Sequence, residues 1–332
     1  MGAHTGVRPT GNTSLKHQLF FNLNDYVNNP AQTFNWQTAT GEHPKLGDVH
    51  EGGARSMVWS PNGKRMLLAG SNQDTIFEFK CTTPWDLTTM SLTPHYAKFD
   101  GSASAPFGNA NTNLQGMHFR AGGRYLIVST TRFDQGWWMM KLNRRFSLSK
   151  GYEIVSPRNS ILGEGFGQNR GIRNQYFAGG EDIHWSDDGR YVIYLADNSF
   201  MYQAEVKNPF SFDSADVVSK QRRNLFFSPP SSRLTGDSDR GRGIFVNRAG
   251  TQIFTTAQNS DNISRYTLTT PWDITTIVGD SADQVRRPPT MSVEPAAPLF
   301  HGNNEAITFS PDGKYFMAIS RTRKVVWRWD KQ

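Results

Sequence analysis

The chain has 332 residues, a formal net charge of +7 and one cysteine, Cys81. A single cysteine excludes an intrachain disulfide framework and a cysteine-rich zinc module. No apolar run approaches 18 residues, so we expect no membrane-spanning helix and no membrane partner. The isoelectric point near 9.5 is typical of nucleic-acid-binding proteins, but the basic residues are dispersed, and we do not expect nucleic acid to be a partner.

The N-terminal region divides into two parts. Residues 1–17 are rich in Gly, Thr, His, Asn and Lys and lack the apolar core of a secretory signal. We therefore predict a flexible arm over 1–17 and no cleaved export signal. Residues 18–23 and 32–37 alternate as strands do, and we assign 18–332 to one folded domain.

A hairpin pattern occurs five times in the remaining sequence. Each copy is a short apolar strand, a tight turn that contains Gly, and a second β-branched or aromatic strand. The copies follow one another at intervals of roughly 62 residues. Their aligned glycines are Gly63, Gly123, Gly189, Gly250 and Gly313.

A third strand follows each hairpin, and in two copies it runs into nearly identical text. This text is Thr-Thr-Pro-Trp-Asp, with Pro84, Trp85 and Asp86 in the first copy and Pro271, Trp272 and Asp273 in the fourth. Proline starts a turn and Asp accepts from nearby backbone N–H groups, so we interpret the motif as blade structure.

Four strands in each repeat predict an all-β fold, a single β-propeller with five four-stranded blades. The last copy ends after its third strand. We therefore expect the N-terminal strands within 18–37 to complete the last blade and close the ring. The strand-like segment 18–23 leaves six blades as the alternative.

Titratable residues precede the first strand of several copies. First strands line the axis of a propeller, so these residues are expected at one mouth of the channel, where a binding pocket is the default hypothesis. The competing interpretation is a polar rim that caps the strand ends. The candidates are His50, Glu51, Glu181, Asp182, Arg240, Arg242, His301, Asn304 and Glu305. Short metal-ligand spacings are absent, so we predict no metal and no cofactor.

Two histidines, His118 and His184, share one position in the repeat. Val58, Phe245 and Thr308 stand at that position in the other copies, so a ring of identical ligands is excluded. A paired role in the channel and packing between blades both remain open.

Two stretches of the sequence resemble known propeller repeats. Residues 310–315, Ser-Pro-Asp-Gly-Lys-Tyr, resemble YVTN-type and TolB-like repeats, which occur in lactonases, scaffold proteins and binding proteins. Residues 266–276, Tyr-Thr-Leu-Thr-Thr-Pro-Trp-Asp-Ile-Thr-Thr, resemble blade repeats of virion proteins from tailed bacteriophages. Both resemblances imply a propeller fold, and the second implies a structural role in a virus particle.

From these observations we predict a non-catalytic propeller of a virus particle, associated with a phage tail or capsid. It would be made in the host cytoplasm and would bind other virion proteins, and copies of itself are possible partners. The alternatives are a YVTN-like lactonase or other small-ligand hydrolase acting at the channel mouth, and a glycan-binding propeller. Fold alone does not decide among these functions.

Overall fold

The computed structural model describes fifteen segments of the chain. They are residues 23–26, 30–36, 53–70, 75–92, 94–98, 114–130, 136–154, 180–196, 200–211, 216–224, 241–257, 263–278, 283–285, 304–321 and 324–332. The predicted arm over 1–17 lies outside these segments. The strands in the described segments form five four-stranded antiparallel sheets, so the prediction of a five-bladed propeller is confirmed.

Four of the five blades are built from consecutive strands. The bounds follow in chain order, beginning with the single strand that precedes the first complete blade. They are β1 (Gln32–Asn35); β2 (Ala54–Trp59), β3 (Arg65–Gly70), β4 (Thr75–Lys80) and β5 (His95–Lys98) in blade 1; β6 (Leu114–Phe119), β7 (Tyr125–Thr130), β8 (Gly136–Arg144) and β9 (Ser147–Ile154) in blade 2; β10 (Gly180–Trp185), β11 (Tyr191–Ala196), β12 (Phe200–Val206) and β13 (Val217–Asn224) in blade 3; β14 (Gly241–Val246), β15 (Gln252–Ala257), β16 (Ile263–Thr267) and β17 (Asp283–Val285) in blade 4; and β18 (Asn304–Phe309), β19 (Tyr315–Ser320) and β20 (Val325–Asp330) in blade 5.

The first strands of the blades form the inner circle of the ring. Each of β2, β6, β10, β14 and β18 contacts the first strand of the next blade, and β18 contacts β2. Apolar side chains fill the space between neighbouring blades. Leu67 and Ile76 of blade 1, for example, pack in one cluster with Leu114 and Met140 of blade 2. The core is therefore a series of inter-blade layers rather than one central mass.

The N-terminal strand closes the ring without a covalent bond. β1 pairs antiparallel with β20, with Phe34 opposite Val326, and becomes the fourth strand of blade 5. The Gln32 Oε1 atom accepts from the Leu87 N–H of blade 1 at 2.7 Å. An identical 2.7 Å bond joins Gln203 of blade 3 to the Ile274 N–H of blade 4. Closure by an N-terminal strand is confirmed, and the six-blade alternative is wrong.

The structure tests only the last residue of the strand that was predicted over 18–23. Leu23 begins a 3-10 helix, Leu23–Tyr26, and residues 18–22 fall outside the described segments. The helix places Tyr26 in the core of blade 5, in edge contact with Phe309 at 5.8 Å between ring centroids. The Tyr26 hydroxyl donates to the Gly313 carbonyl at 2.5 Å.

An aromatic side chain covers the hairpin glycine in each of the first four blades. The backbone N–H of the aromatic residue donates to the glycine carbonyl at 2.7–2.8 Å. All four aromatic residues have positive φ, which costs free energy in a non-glycine residue. The pairs are Trp85 over Gly63, Phe146 over Gly123, Phe210 over Gly189 and Trp272 over Gly250. In blade 5, the Tyr26 hydroxyl replaces the backbone donor.

The aspartates of the Thr-Pro-Trp-Asp motif cap short 3-10 helices. Asp86 accepts from the backbone N–H of Thr88 at 3.0 Å and from its hydroxyl at 2.7 Å. Asp273 makes the same two contacts with Thr275. The motif therefore places its Trp over the hairpin and its Asp on the following turn, which accounts for the spacing of its residues.

Candidate functional site

Every first strand contains a β-bulge near its beginning. The register between first and second strands shifts at this point in all five blades. Bulges turn a side chain away from its regular direction. The bulges place one polar residue per blade at the same level of the ring, eight positions before the hairpin glycine. We call this set the charge ring: Arg55, Gln115, Glu181, Arg242 and Glu305.

Ion pairs connect the charge ring across three blade boundaries. Glu305 of blade 5 accepts from Arg55 of blade 1 through both carboxylate oxygens, at 3.0 and 3.1 Å. Its Oε2 atom also lies 3.8 Å from Nε of Arg242 in blade 4. Arg242 in turn pairs with Glu181 of blade 3. Arg321, which follows β19, adds a contact to Glu305 at 3.7 Å.

The carboxylates of the charge ring are removed from solvent. The Glu305 side chain is 1% exposed, that of Glu181 2% and that of Arg242 7%. Charges this deeply buried are tolerated only when they are paired, because the loss of hydration would otherwise outweigh any other gain. These three predicted mouth residues are therefore buried as ion pairs, in which Arg242 and Arg55 balance the two carboxylates.

Asp182 follows the bulge and joins blades 3 and 4. Its Oδ2 atom accepts from the Ile244 N–H at 2.9 Å, whereas Oδ1 is buried without a hydrogen-bond partner among the described residues. Burial raises the pKa of the Asp182 carboxyl well above its usual range, and the nearby Glu181 charge adds to that effect. Burial therefore favours the protonated, neutral form of the Asp182 carboxyl inside the ring.

The remaining predicted mouth residues are described incompletely. His50, Glu51, Arg240 and His301 fall on parts of the chain that the structure does not describe. Asn304 is the first residue of β18. A pocket built from the full predicted set at this mouth thus stays a prediction.

A cavity of about 420 Å³ lies at the other end of the axis. It opens between the hairpins that join first and second strands, since exposed tip residues such as Pro61, Asp187 and Pro311 line it. We call it the axial cavity. The residues five positions before each hairpin glycine surround it, and all five are only half-buried although they lie on inner strands. They are Val58, His118, His184, Phe245 and Thr308.

The two histidines form a contiguous pair in the axial cavity. Their ring centroids are 4.6 Å apart, and Phe245 continues the row at 5.4 Å from His184. Nε2 of His118 accepts from the Trp185 N–H at 3.4 Å. Burial lowers the pKa of His118 to about 4 and that of His184 well below its ordinary value. Both imidazoles are therefore neutral near pH 7.

The sequence predictions missed two features of the axis. Arg55 and Gln115 belong to the charge ring, and alignment of the five copies at the bulge position would have found them. No pocket was predicted at the axial cavity, because the expected pocket residues precede the first strands; a paired role of the two histidines in the channel was one of two open interpretations. The shared position of His118 and His184 was the available signal.

In the described part of the chain, no three His, Cys, Asp or Glu side chains are grouped so that they could hold a metal ion. None of the helices there has the length and apolar character that crossing a bilayer requires.

Comparison with known proteins assigns no family to this chain. No protein-family profile and no curated protein sequence matches this chain. Among solved structures, the Cps50 (Swd1) β-propeller domain of Myceliophteria thermophila is similar, with 10% identity, a TM-score of 0.42 and coverage of 84% of this chain and 83% of that one.

Two proposed 6-phosphogluconolactonases are also similar. The protein from Bacteroides fragilis is 14% identical, with a TM-score of 0.43 and coverage of 83% of this chain and 65% of that one. The protein from Bacteroides uniformis is 11% identical, with a TM-score of 0.40 and coverage of 83% and 66%. This chain thus spans just under two thirds of the length of these two proteins. At identities of 10–14% and TM-scores of 0.40–0.43, these likenesses carry no assignment of activity.

Proposed function

We propose that this propeller is a non-catalytic structural and interaction component of a virus particle, associated with a phage tail or capsid. The charge ring is the observation that supports a non-catalytic function. Three of the predicted mouth residues that a hydrolase could use are Glu181, Arg242 and Glu305, and they are paired with one another or with Arg55 across blade boundaries. The carboxylates of Glu181 and Glu305 are buried and already engaged by arginines, so they are poorly placed to act on a substrate.

The resemblance of residues 266–276 to phage blade repeats supports the virion part. In the structure this text forms a hairpin cover and a capped turn, with Trp272 packed over Gly250. A motif with that role favours a rigid frame. The net charge of +7 favours acidic surfaces of other particle proteins as partners, since complementary charge increases the rate and specificity of association.

Mass spectrometry and cryo-EM of purified particles test the proposal. We expect the protein in gradient-purified particles at a fixed copy number, with ring-shaped density of five blades in the map. Recovery of the protein only as a free molecule, with none in the particles, would contradict the proposal.

A panel of lactones tests the competing hydrolase function. We expect turnover no faster than the background rate. Turnover that is abolished in a Glu305→Gln variant that still folds would establish catalysis at the mouth instead. A glycan array examines the third function, and specific retention there would replace the virion role by carbohydrate binding.

A further inference from the structure

Arg120 stands where the other four blades have a residue that stabilises the hairpin. Three positions before the glycine, these blades have Ser60, Ser186, Asn247 and Ser310. Each of the four side chains accepts a hydrogen bond from the first residue of the second strand, at 2.9–3.0 Å. A guanidinium has no acceptor atom and cannot make this bond. Blade 2 therefore lacks a stabilising contact that the rest of the molecule keeps.

The Arg120 side chain lies at the axial cavity, between two blades. Its guanidinium carbon is 5.0 Å from the ring centroid of Tyr125 in blade 2 and 4.5 Å from that of Phe210 in blade 3. Among the described residues, no carboxylate pairs with it and no acceptor receives its N–H groups. A partly buried guanidinium held by two rings is thus left with its hydrogen-bonding edge available.

Arg328 shows how the same molecule treats a structural arginine. It stacks on Tyr315 at 4.6 Å, pairs with both oxygens of Asp330, and donates to the Trp85 carbonyl of blade 1 at 2.9 Å. The two arginines share the stacking on a tyrosine, but only Arg328 has anionic and carbonyl partners. The comparison indicates that the partner of Arg120 comes from outside the described chain.

The wall of the axial cavity beside Arg120 is aromatic and uncharged. His118, His184 and Phe245 form a row of rings, and Val58 and Thr308 leave space opposite them because their side chains are small. Neither ring nitrogen of His184 has a hydrogen-bond partner among the described residues. A neutral imidazole has one donor and one acceptor, so His184 offers both, whereas His118 offers only its donor because Nε2 already accepts from the Trp185 N–H. Aromatic faces favour stacked or edge contacts with another ring.

The other charged groups at the cavity are already satisfied or neutral. Asp187, at the rim, pairs with Arg248 at 2.8 Å. Asp182, at the inner end, accepts from the Ile244 N–H through Oδ2 only, and burial raises the pKa of its carboxyl, which favours the neutral form. Among the described groups at the cavity, Arg120 is therefore the one whose charge would determine which ligand binds.

We propose that the axial cavity binds a small aromatic anion, whose ring lies against His118, His184 and Phe245 and whose anionic group pairs with Arg120. The volume of about 420 Å³ lies in the range of sites for small organic ligands. Carboxylate and phosphate present the same bidentate acceptor geometry to arginine. The site goes beyond the virion role, since its lining includes no residue of the charge ring or of residues 266–276.

Titration of the full-length protein with defined probes tests the site. The probes are indole-3-acetate and phenyl phosphate as aromatic anions, acetate and inorganic phosphate as anions without a ring, and benzyl alcohol as a ring without charge. Binding is followed by calorimetry and by the NMR signals of the His118 and His184 ring protons. We expect at least one aromatic anion to bind with a Kd below about 1 mM, and each control probe about tenfold more weakly. The stronger of the two aromatic anions identifies the ligand as a carboxylate or a phosphate.

Substitutions within the repeat separate binding from folding. Arg120→Ser introduces the residue that three other blades have, so it is expected to fold and to weaken binding about tenfold or more. Arg120→Gln keeps most of the side-chain stem and serves if the Ser variant is unstable. Arg190→Ser removes one positive charge from the neighbouring hairpin, outside the cavity, and should change the Kd less than twofold. Absence of binding by both aromatic anions at about 10 mM, or equal affinities of wild type and both Arg120 variants, would overturn the proposal.

Discussion

Ser56 and Asp182 occupy the same repeat position and make the same inter-blade contact. The Ser56 hydroxyl accepts from the Met117 N–H of the next blade at 2.9 Å, as Asp182 does from Ile244. The next blade has a glycine in each case, and a Cβ at Gly116 would lie 2.5 Å from a backbone oxygen of blade 3. Side-chain acceptor and glycine therefore alternate from blade 1 to blade 4, because the neighbouring backbones approach too closely for two side chains, whereas blade 5 has Ala306 at this position.

The buried carboxyl of Asp182 predicts a pH dependence of stability. In the unfolded chain it titrates near its ordinary value of 3.8, whereas in the fold its pKa is raised well above that value by burial. Above pH 3.8 the unfolded state therefore releases a proton that the folded state keeps, so the free energy of unfolding falls as pH rises. We expect Asp182→Asn to gain stability relative to wild type between pH 4 and pH 8, as measured by urea unfolding at several pH values.

Ser56→Ala is the matched control for this prediction. It removes the equivalent inter-blade bond without removing a titrating group, and should cost about 1–3 kcal/mol because a buried N–H loses its acceptor. Its stability profile should run parallel to that of wild type. A gap between wild type and Asp182→Asn that stays constant from pH 4 to pH 8 would show that the carboxyl titrates normally in the fold.

At the scale of the element, the hairpin is the unit that repeats. Its tip depends on a glycine with positive φ and on the aromatic residue that covers it. Blade 2 allows the effect of positive φ to be measured apart from the effect of the aromatic cover. It has two consecutive glycines with positive φ, Gly122 at 76° and Gly123 at 64°. A Cβ on Gly122 would have no neighbour within 4 Å, whereas a Cβ on Gly123 would lie 2.2 Å from the Phe146 ring.

This difference predicts unequal costs for the same substitution. Gly122→Ala should destabilise by about 1–2 kcal/mol, the cost of positive φ in a residue with a Cβ. Gly123→Ala carries that cost and also displaces Phe146, which adds about 1–3 kcal/mol of overpacking. Thermal and urea unfolding of the two variants measure the difference. Equal losses of stability would mean that the aromatic cover is loosely packed and contributes little.

The hairpins could be predicted from sequence because their determinants are local. A turn glycine between alternating strands requires no knowledge of the rest of the chain, and five copies fixed the number of blades. The Thr-Pro-Trp-Asp motif was read as blade structure for the same reason. The positive φ of Trp85 and the packing of its ring over Gly63 could not be predicted from the sequence, because both depend on the path of the chain after the third strand.

The axis was predicted only in part, because its arrangement depends on bulges. The sequence placed Glu181, Arg242 and Glu305 at one mouth of the channel, but it gave no reason to include Arg55. A bulge leaves no local signature in a strand of six residues, and only the comparison of blades reveals it. The role of Tyr26 is harder to predict. In the other blades an aromatic residue of the same blade donates to the glycine carbonyl, whereas the contact of Tyr26 with Gly313 joins residues at opposite ends of the sequence.

At the scale of the molecule, the charge ring joins blades 3, 4, 5 and 1. Glu305 is its central member, and Glu305→Gln would leave Arg55 without its carboxylate while keeping the side-chain shape. Removing one partner of a buried ion pair costs about 3–5 kcal/mol, and we expect a loss of that size in chemical unfolding. Glu153→Gln is the control, because its pair with Lys141 is exposed and long, at 3.9 Å, so the loss should stay below about 1 kcal/mol. Similar losses in both variants would show that the charge ring contributes no more than a surface pair.

Blade 5 differs from the other four blades in how its fourth strand is attached. In blades 1 to 4 the chain runs directly from the third strand to the fourth, whereas β1 has no such connection to β20. The two 2.7 Å bonds, from Gln32 to Leu87 and from Gln203 to Ile274, are equal in geometry but unequal in context. Gln203 lies on β12, which is held on both sides by strands of its own blade, whereas Gln32 lies on β1, at the outer edge of blade 5. Loss of the Gln32–Leu87 bond should therefore favour local detachment of β1. Loss of the Gln203–Ile274 bond can lead to exchange only when the whole blade opens.

Native-state hydrogen exchange distinguishes these two responses. Gln32→Ala should speed exchange of the amides of β1 and of the β20 amides bonded to it by about fivefold or more, which corresponds to a loss of about 1 kcal/mol in local opening. Gln203→Ala should leave those amides unchanged under conditions where local opening dominates. The direction of the effect follows from connectivity, since an edge strand that is held only by hydrogen bonds and side-chain packing opens before a central strand. Equal acceleration across all blades in Gln32→Ala would mean that the ring opens only as a whole and that β1 is as firmly bound as a covalently continuous strand.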